Sequence, residues 1–233
     1  MRESQPNAKD RLKGLLTRLR ARAPGRGVKS FSQCGEDVFV QNEGYLPEAG
    51  TYVDVGAGHP VYGSNTFGLY LRGWRGVTVE PNPDHARKHR AVRPHDQLMQ
   101  VGIAMTNSAL TYHSFTNPDY NTFDETARDR AISHGGEVLD TQTIPVRRLD
   151  RMLTDAGLNQ RIDLMSVDCE GLDLDVLRSN DWLKFRPRLL LVEDLEAIDN
   201  PWQESDINKY LDGIGYRRWT LVGYTSVFLL KGE

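Results

Sequence analysis

Apolar positions in this chain switch repeatedly between two rhythms, short β-branched runs and longer amphipathic stretches. That alternation predicts strands and helices in turn, and hence a mostly parallel sheet covered on both faces. Residues 51–55 read as a first strand, followed by a glycine-rich turn. A helix is expected over 64–72, with Gly73 as its stop signal. Residues 76–80 read as the second strand and 83–93 as a helix with proline near its start. A third strand is expected over 97–104 and a further one over 110–115. Residues 117–140 are polar, contain Gly135 and Gly136, and read as an irregular insertion, a length that usually marks function or mobility. Order resumes with 144–146 and a helix over 149–156. Residues 162–168 read as a buried strand, 172–179 as a helix, and 188–193 as a nearly all-aliphatic central strand. A helix over 204–214 precedes strands 217–222 and 225–230, joined by Gly223 and Tyr224 as an antiparallel hairpin at the sheet edge.

The length of 233 residues suits one Rossmann-like α/β domain, placed at 31–233, with residues 1–30 as an extension. Charge is uneven: residues 1–30 carry nine Lys or Arg against two acids, a net +7, and the remainder carries −10. Leu12, Leu15, Leu16 and Leu19 lie at helical spacing within that basic stretch. The expectation is an amphipathic helix that packs on the domain or on a second subunit as a homodimer contact, followed by a loop at 23–27. This reading is preferred over binding to nucleic acid or lipid. Apolar runs such as 189–192 and 227–230 are far shorter than a membrane span, which needs about 20 residues. No apolar h-region follows Met1. The two cysteines, Cys34 and Cys169, are too few for a disulfide scaffold and fit a reducing cytoplasmic setting.

In an open α/β sheet, ligands bind beyond the carboxyl ends of the strands, at the switch in strand order. There the chain reads Asp54-Val55-Gly56-Ala57-Gly58. Glycines at 56 and 58 let the backbone turn sharply and approach a ligand. Glu80 ends the next strand, where an acid accepts ribose hydroxyl protons. A dinucleotide fingerprint wants a third glycine where Val61 stands, and Asp54 would repel a pyrophosphate. S-adenosylmethionine has no phosphate and carries an ammonium and a sulfonium, so an acid-lined glycine turn suits it better. A glycine turn serving only strand–helix packing is the plain alternative.

Several separated motifs carry a family resemblance. They are Ser32-Gln33-Cys34-Gly35-Glu36-Asp37, the run from Tyr52 to Ala57, Ser64-Asn65-Thr66, Gly73-Trp74-Arg75-Gly76, Glu80-Pro81-Asn82-Pro83, and Val167-Asp168-Cys169-Glu170-Gly171. In this order they resemble the FkbM family of methyltransferases, from about residue 31 to 230. The resemblance implies a class I methyltransferase fold, with a seven-stranded sheet whose last strand is antiparallel. It also implies O-methylation of sugars or natural products, with Gln33, Glu36, Ser64 and Asn65 near the methionine end of the cofactor. Ala57 and Pro81 flank the cofactor turn and the ribose acid. Cap and loop hydrogen bonding is the competing reading for these residues.

Asp168 ends one strand and Glu193-Asp194 ends the next, and adjacent strands lie about 4.8 Å apart. Three carboxylates gathered at one mouth of the sheet call for a positive charge, and a hard cation such as Mg²⁺ fits oxygen donors. The arrangement resembles metal-dependent O-methyltransferases, including those acting on macrolide sugars. Chelation would acidify a sugar hydroxyl and align it with the methyl group. Glu170, His59, His113 and His134 are candidate bases; His85, His89 and His95, on a surface helix or its exit, are set aside. The insertion, with Tyr120, Asn121, Phe123 and His134 beside Asp124, Arg128 and Arg130, suits an acceptor-binding lid, to which Trp202 and Tyr224 add. The expected acceptor is a sugar or a glycosylated small molecule. A polyketide or amine acceptor, a non-catalytic nucleoside-binding module and a nicotinamide-dependent oxidoreductase stay as alternatives.

Overall fold

A computed structural model describes residues 7–22, 29–42, 44–159, 161–199 and 204–232. The loop expected at 23–27 and Trp202 lie outside the described residues. The chain opens with helices α1 (Ala8–Arg22) and α2 (Glu36–Asn42), then β1 (Thr51–Val55), α3 (Phe67–Leu71), β2 (Arg75–Val79) and α4 (Pro83–Val92). Strands β3 (Gln97–Met99), β4 (Gly102–Ile103) and β5 (Ser108–Phe115) follow, then α5 (Glu125–Ser133) and β6 (Val138–Arg147). The rest is α6 (Leu149–Asp155), β7 (Leu164–Val167), α7 (Asp173–Arg178), β8 (Leu189–Glu193), α8 (Leu195–Asp199), α9 (Asp206–Gly213), β9 (Tyr216–Val222) and β10 (Thr225–Leu230).

Seven strands form one sheet in the order β3-β2-β1-β7-β8-β10-β9. β1, β2, β3, β7 and β8 run parallel, and β10 is antiparallel to both β8 and β9. This is the expected seven-stranded α/β sheet with an antiparallel last strand. The strand order reverses between β1 and β7, so a crevice opens beyond their carboxyl ends.

Alternation along the strands builds a core on each face. Val53, Val55, Met165, Val167, Leu190, Val192 and Phe228 pack with Leu149, Met152, Leu153, Val176, Leu177 and Leu211 of α6, α7 and α9. Tyr52, Leu164, Leu189, Leu191, Val227 and Leu229 point the other way, onto Val40, Phe67, Leu69, Tyr70 and Trp74. Neighbouring residues of a strand face opposite sides, and both sides here are covered, hence the unbroken aliphatic run in β8. Each fully buried Leu, Val or Phe stabilises by about 1.5–3 kcal/mol relative to exposure.

Two expected elements are different in the structure. The strand expected over 97–104 is two: β3 pairs with β2, and β4 leaves for a second, three-stranded sheet in the order β4-β6-β5. The apolar pattern continues across the change of sheet, so periodicity alone does not mark it. The insertion at 117–140 is ordered. It holds a 3₁₀ turn at Pro118–Tyr120, then α5, then the first residues of β6. Asn117 and Asp124 supply the side-chain caps that start the turn and the helix.

α1 forms within residues 1–30 and packs on the domain, one of the two placements expected for it. It lies on α4, yet it does so through Gly14, while Leu12, Leu15 and Leu16 face outward.

A buried ion network ties β1 to the end of α4. The Arg93 guanidinium donates to Asp96 at 2.8 Å, to the Tyr52 hydroxyl at 2.9 Å and to the Thr66 hydroxyl at 2.8 Å. It also lies 3.8 Å from Asp54. Thr66 in turn donates to Asp54. The neighbouring acids and the Tyr52 hydroxyl hold the Arg93 guanidinium charged despite its burial. Removing one member of a buried charge cluster leaves the others uncompensated, at a cost of about 3–5 kcal/mol. Arg93→Leu should therefore lose about 3–5 kcal/mol in urea unfolding; a loss near zero would show that the network is not holding β1 to α4.

Candidate functional site

The crevice at the strand switch is a cavity of about 380 Å³. Its floor is the turn after β1. The Gly56 and Ala57 N–H groups both donate to the Val79 carbonyl, binding the turn to β2. Gly56 has φ +75, and a Cβ there would lie 1.7 Å from the Asp168 carbonyl oxygen. The Asp168 N–H donates to the Val55 carbonyl at 3.0 Å. Side chains are thus excluded where the turn after β1 meets the turn after β7.

Glu80 lines the cavity. Its carboxylate accepts the N–H of Gly58 and of Asn82, both at 2.7 Å. Burial pushes its carboxyl up to about 8, although the two backbone donors pull it down. Val101, Ile103, Phe123 and Leu172 give the cavity an apolar wall. The Phe123 ring packs on Tyr112 with centroids 4.7 Å apart. Gln33, His59 and Tyr62 form part of the mouth.

The expected cofactor residues divide into two groups. Gln33, Gly56, Ala57, Gly58, Glu80 and Pro81 line the cavity. Asp54, Glu36, Ser64 and Asn65 are buried behind it. Asp54 is turned to Arg93 and Thr66. Glu36 accepts the Cys34 N–H at 2.8 Å. Ser64 accepts the Phe67 N–H at 3.1 Å, near the start of α3, and Asn65 donates to the Ser166 hydroxyl at 3.1 Å. Their hydrogen bonds are those of caps and struts supporting the turn.

The three-carboxylate cluster exists with one exchange of members. Asp168, Glu170 and Glu193 each offer an oxygen within 4.8 Å of the others. Asp194 is not part of it. Its carboxylate accepts the hydroxyls of Ser205 and Ser226 at 2.8 and 2.9 Å and the Ala197 N–H at 3.2 Å, capping α8. Burial, then the neighbouring carboxylates, pushes the Asp168, Glu170 and Glu193 carboxyls upward. Glu193 Oε2 is buried without a hydrogen-bond partner. Asp173 stands beside the cluster and accepts the Cys169 N–H at 2.8 Å.

Glu170 has φ +48, the only positive φ among described non-glycine residues. Such a conformation costs of order 1–3 kcal/mol and persists only when its surroundings impose it. The Thr122 hydroxyl donates to the Glu170 carbonyl at 2.8 Å, so the insertion clamps this turn. Asp168 and Glu170 face the cavity together with Cys169.

The histidines are redistributed. His59 lines the cavity, and its Nδ1 accepts the N–H groups of Val61 and Tyr62 at 3.2 Å. Burial, then Lys88, lowers its pKa to about 4. A neutral ring whose Nδ1 accepts carries its proton on Nε2, so its accepting nitrogen is already engaged by the backbone. His113 is buried outside the cavity lining. His134 is an exposed residue whose Nδ1 lies 2.9 Å from the Arg130 carbonyl at the end of α5. His85 and His89, set aside in the sequence as surface residues, are buried. His85 lines the cavity, and His89 Nε2 lies 3.1 Å from the Gly58 carbonyl. Helical spacing alone could have signalled that 85 and 89 share a face.

In the insertion, Pro118, Asp119, Asn121, Thr122 and Phe123 form cavity wall. Tyr120 packs on Phe115 instead, with centroids 6.1 Å apart. Tyr224 is half exposed and not part of the lining.

Residues 54–218 match the model of the methyltransferase FkbM domain. No curated protein matches the chain. Among solved structures it is similar to an O-methyltransferase from Bacillus cereus in complex with SAH, at 13% identity and TM-score 0.44, over 97% of this chain and 92% of that one. A methyltransferase from Geobacter sulfurreducens is similar at 14% identity and TM-score 0.43, over 99% and 90%. A TehB-like SAM-dependent methyltransferase from Corynebacterium glutamicum is similar at 11% identity and TM-score 0.44, over 97% and 100%. With the family model covering well over half of its length, the chain belongs to the FkbM family and is an S-adenosylmethionine-dependent methyltransferase.

Proposed function

We propose that the enzyme methylates a hydroxyl of a sugar, oligosaccharide or glycosylated metabolite, held beside a divalent cation at Asp168, Glu170 and Glu193. The observation that carries this reading is the unpaired acid cluster. Three carboxylates lie within 4.8 Å of one another, one of their oxygens is buried with no partner, and two of the three face the glycine turn's cavity. A cation among like charges this close favours their ionised forms, and an all-oxygen donor set suits Mg²⁺.

The cofactor is assigned to the rest of the cavity. Glu80 is aimed where ribose hydroxyls can donate to it, and Gly56 leaves the backbone open to close approach. The apolar wall of Val101, Ile103, Phe123 and Leu172 suits a flat adenine base. The acids at the far side favour the sulfonium and ammonium by charge. When bound, a cation at the cluster supplies Lewis-acid polarisation of the acceptor hydroxyl. Asp168 and Glu193 would hold the cation, and Glu170, the cluster member on the cavity wall, would receive the hydroxyl proton. The His59 Nε2–H donates toward the mouth and orients the acceptor. Tyr62, largely exposed at that mouth, offers a ring face of the kind that stacks on sugars.

Chelation tests the cation. Methyl transfer to a panel of glycosides should fall at least about 100-fold after EDTA treatment and return with Mg²⁺; unchanged turnover would remove the cation from the account. Glu170→Gln should lower kcat by about 10²–10⁴-fold with little change in SAH affinity, read by calorimetry; full activity in that variant would remove Glu170 as the proton acceptor.

Glu80 gives a pH test. Its folded pKa, about 8, lies above the ordinary value of 4.5, so the folded ligand-free chain holds a proton that the unfolded chain releases. Its contribution to stability is therefore present below pH 4.5 and is lost as pH rises toward 8. Glu80→Gln should flatten the fall in stability across that window and weaken SAH binding at least about tenfold, by loss of a charge-assisted hydrogen bond. Identical pH profiles for the two proteins would contradict the assignment.

A further inference from the structure

The amphipathic helix α1 is mounted with its apolar side away from the protein. Its inner side is the small one: a Cβ at Gly14 would lie 2.2 Å from the Ala91 carbonyl oxygen, so the helix backbone sits directly on the end of α4. Arg18 fastens it there, donating from one nitrogen to the Ala91 carbonyl at 3.1 Å and the Val92 carbonyl at 2.6 Å. These are the last carbonyls of α4, where a cation is favoured. Asp10, the single acid of the helix, has a carboxylate oxygen buried. On the opposite side Leu12, Leu15 and Leu16 are 57%, 45% and 44% exposed. Lys9, Arg11 and Lys13 are exposed as well. At about 100° per residue the three leucines form one stripe, with Lys9 and Lys13 along one border and Arg11 along the other.

We infer that this face is a docking surface for an anionic lipid bilayer, on which α1 lies flat with its leucines among the acyl chains and its cations at the headgroups. An apolar stripe bordered on both sides by Lys and Arg is the pattern of an interfacial helix. Charge selects the occupant. A second copy pairing stripe to stripe would set Lys9, Arg11 and Lys13 against the same cations, with Asp10 turned away from the contact. A nucleic acid backbone would be matched by the cations and would leave three leucines in water. The negatively charged remainder of the chain, net −10 against +7 for residues 1–30, would be held off the same surface. The enzyme would then sit with one preferred side to the bilayer. α4 links that side to the cavity, since it carries α1 on its last turn and His85 and Lys88 on the cavity wall.

The test is co-sedimentation of the full chain with vesicles, at low salt. Phosphatidylcholine vesicles carrying about one-third phosphatidylserine should retain the protein at least about tenfold better than phosphatidylcholine alone. The double substitution Leu12→Glu and Leu16→Glu should remove that binding without altering the melting temperature, because both side chains are outside the core. Lys9→Glu with Lys13→Glu should weaken it independently. The inference is overturned if the wild-type chain stays in solution with anionic vesicles, or if the leucine variant binds as well as wild type. It is overturned equally if light scattering shows the leucine variant to be a monomer where the wild type is a dimer, which would assign the stripe to a second copy.

Discussion

The site depends on one backbone contact. The turn after β1 and the turn after β7 meet where Gly56 lies against the Asp168 carbonyl and the Asp168 N–H reaches Val55. No side chain fits between them. The contact is a consequence of the sheet order, because β1 and β7 are neighbours whose chain connections leave in opposite directions. Together with the β1–β7 pairing, it sets the glycine turn and the acid cluster on one cavity.

Around that contact the structure treats its acids in two ways. Asp54 and Asp96 are neutralised within the protein by Arg93, Tyr52 and Thr66, and they brace β1 from behind. Asp194 is likewise spent on Ser205, Ser226 and the start of α8. Among the described residues Asp168, Glu170 and Glu193 have no such partners, and Glu193 keeps a buried oxygen with no hydrogen bond. The contrast between the two groups is what supports reading the second as a site for a positive ligand. The cofactor offers its sulfonium and ammonium as positive charge, and the proposed divalent cation would be a second source.

Much of this was legible in the sequence, for physical reasons. β1, β2, β7 and β8 are buried on both faces, so their β-branched runs stand out. The glycine turn and Glu80 were readable because the backbone geometry there admits few residue types. The acid cluster was read one residue off. Glu193 and Asp194 are consecutive at a strand end, so their side chains leave on opposite sides, and only Glu193 joins the cluster. The place given to Asp194 belongs to Glu170, whose left-handed backbone turns it into the cluster, and nothing in the sequence announces that conformation. The Arg93 network was also hidden, since a basic residue before Pro94 reads as a surface helix end. The insertion looked irregular because α5 is mostly exposed and its order comes from caps at Asn117 and Asp124 more than from apolar spacing.

The central claim is that cofactor and cation share one cavity, one on the glycine turn and the other in the acid cluster. The most direct measurement is a crystal structure of the chain grown with SAH and Mn²⁺, read by anomalous diffraction. The account predicts a manganese peak bounded by Asp168, Glu170 and Glu193, with SAH ribose hydroxyls on Glu80 and the thioether facing the metal. An SAH amino group seated among the three carboxylates, with no anomalous peak there, would contradict it.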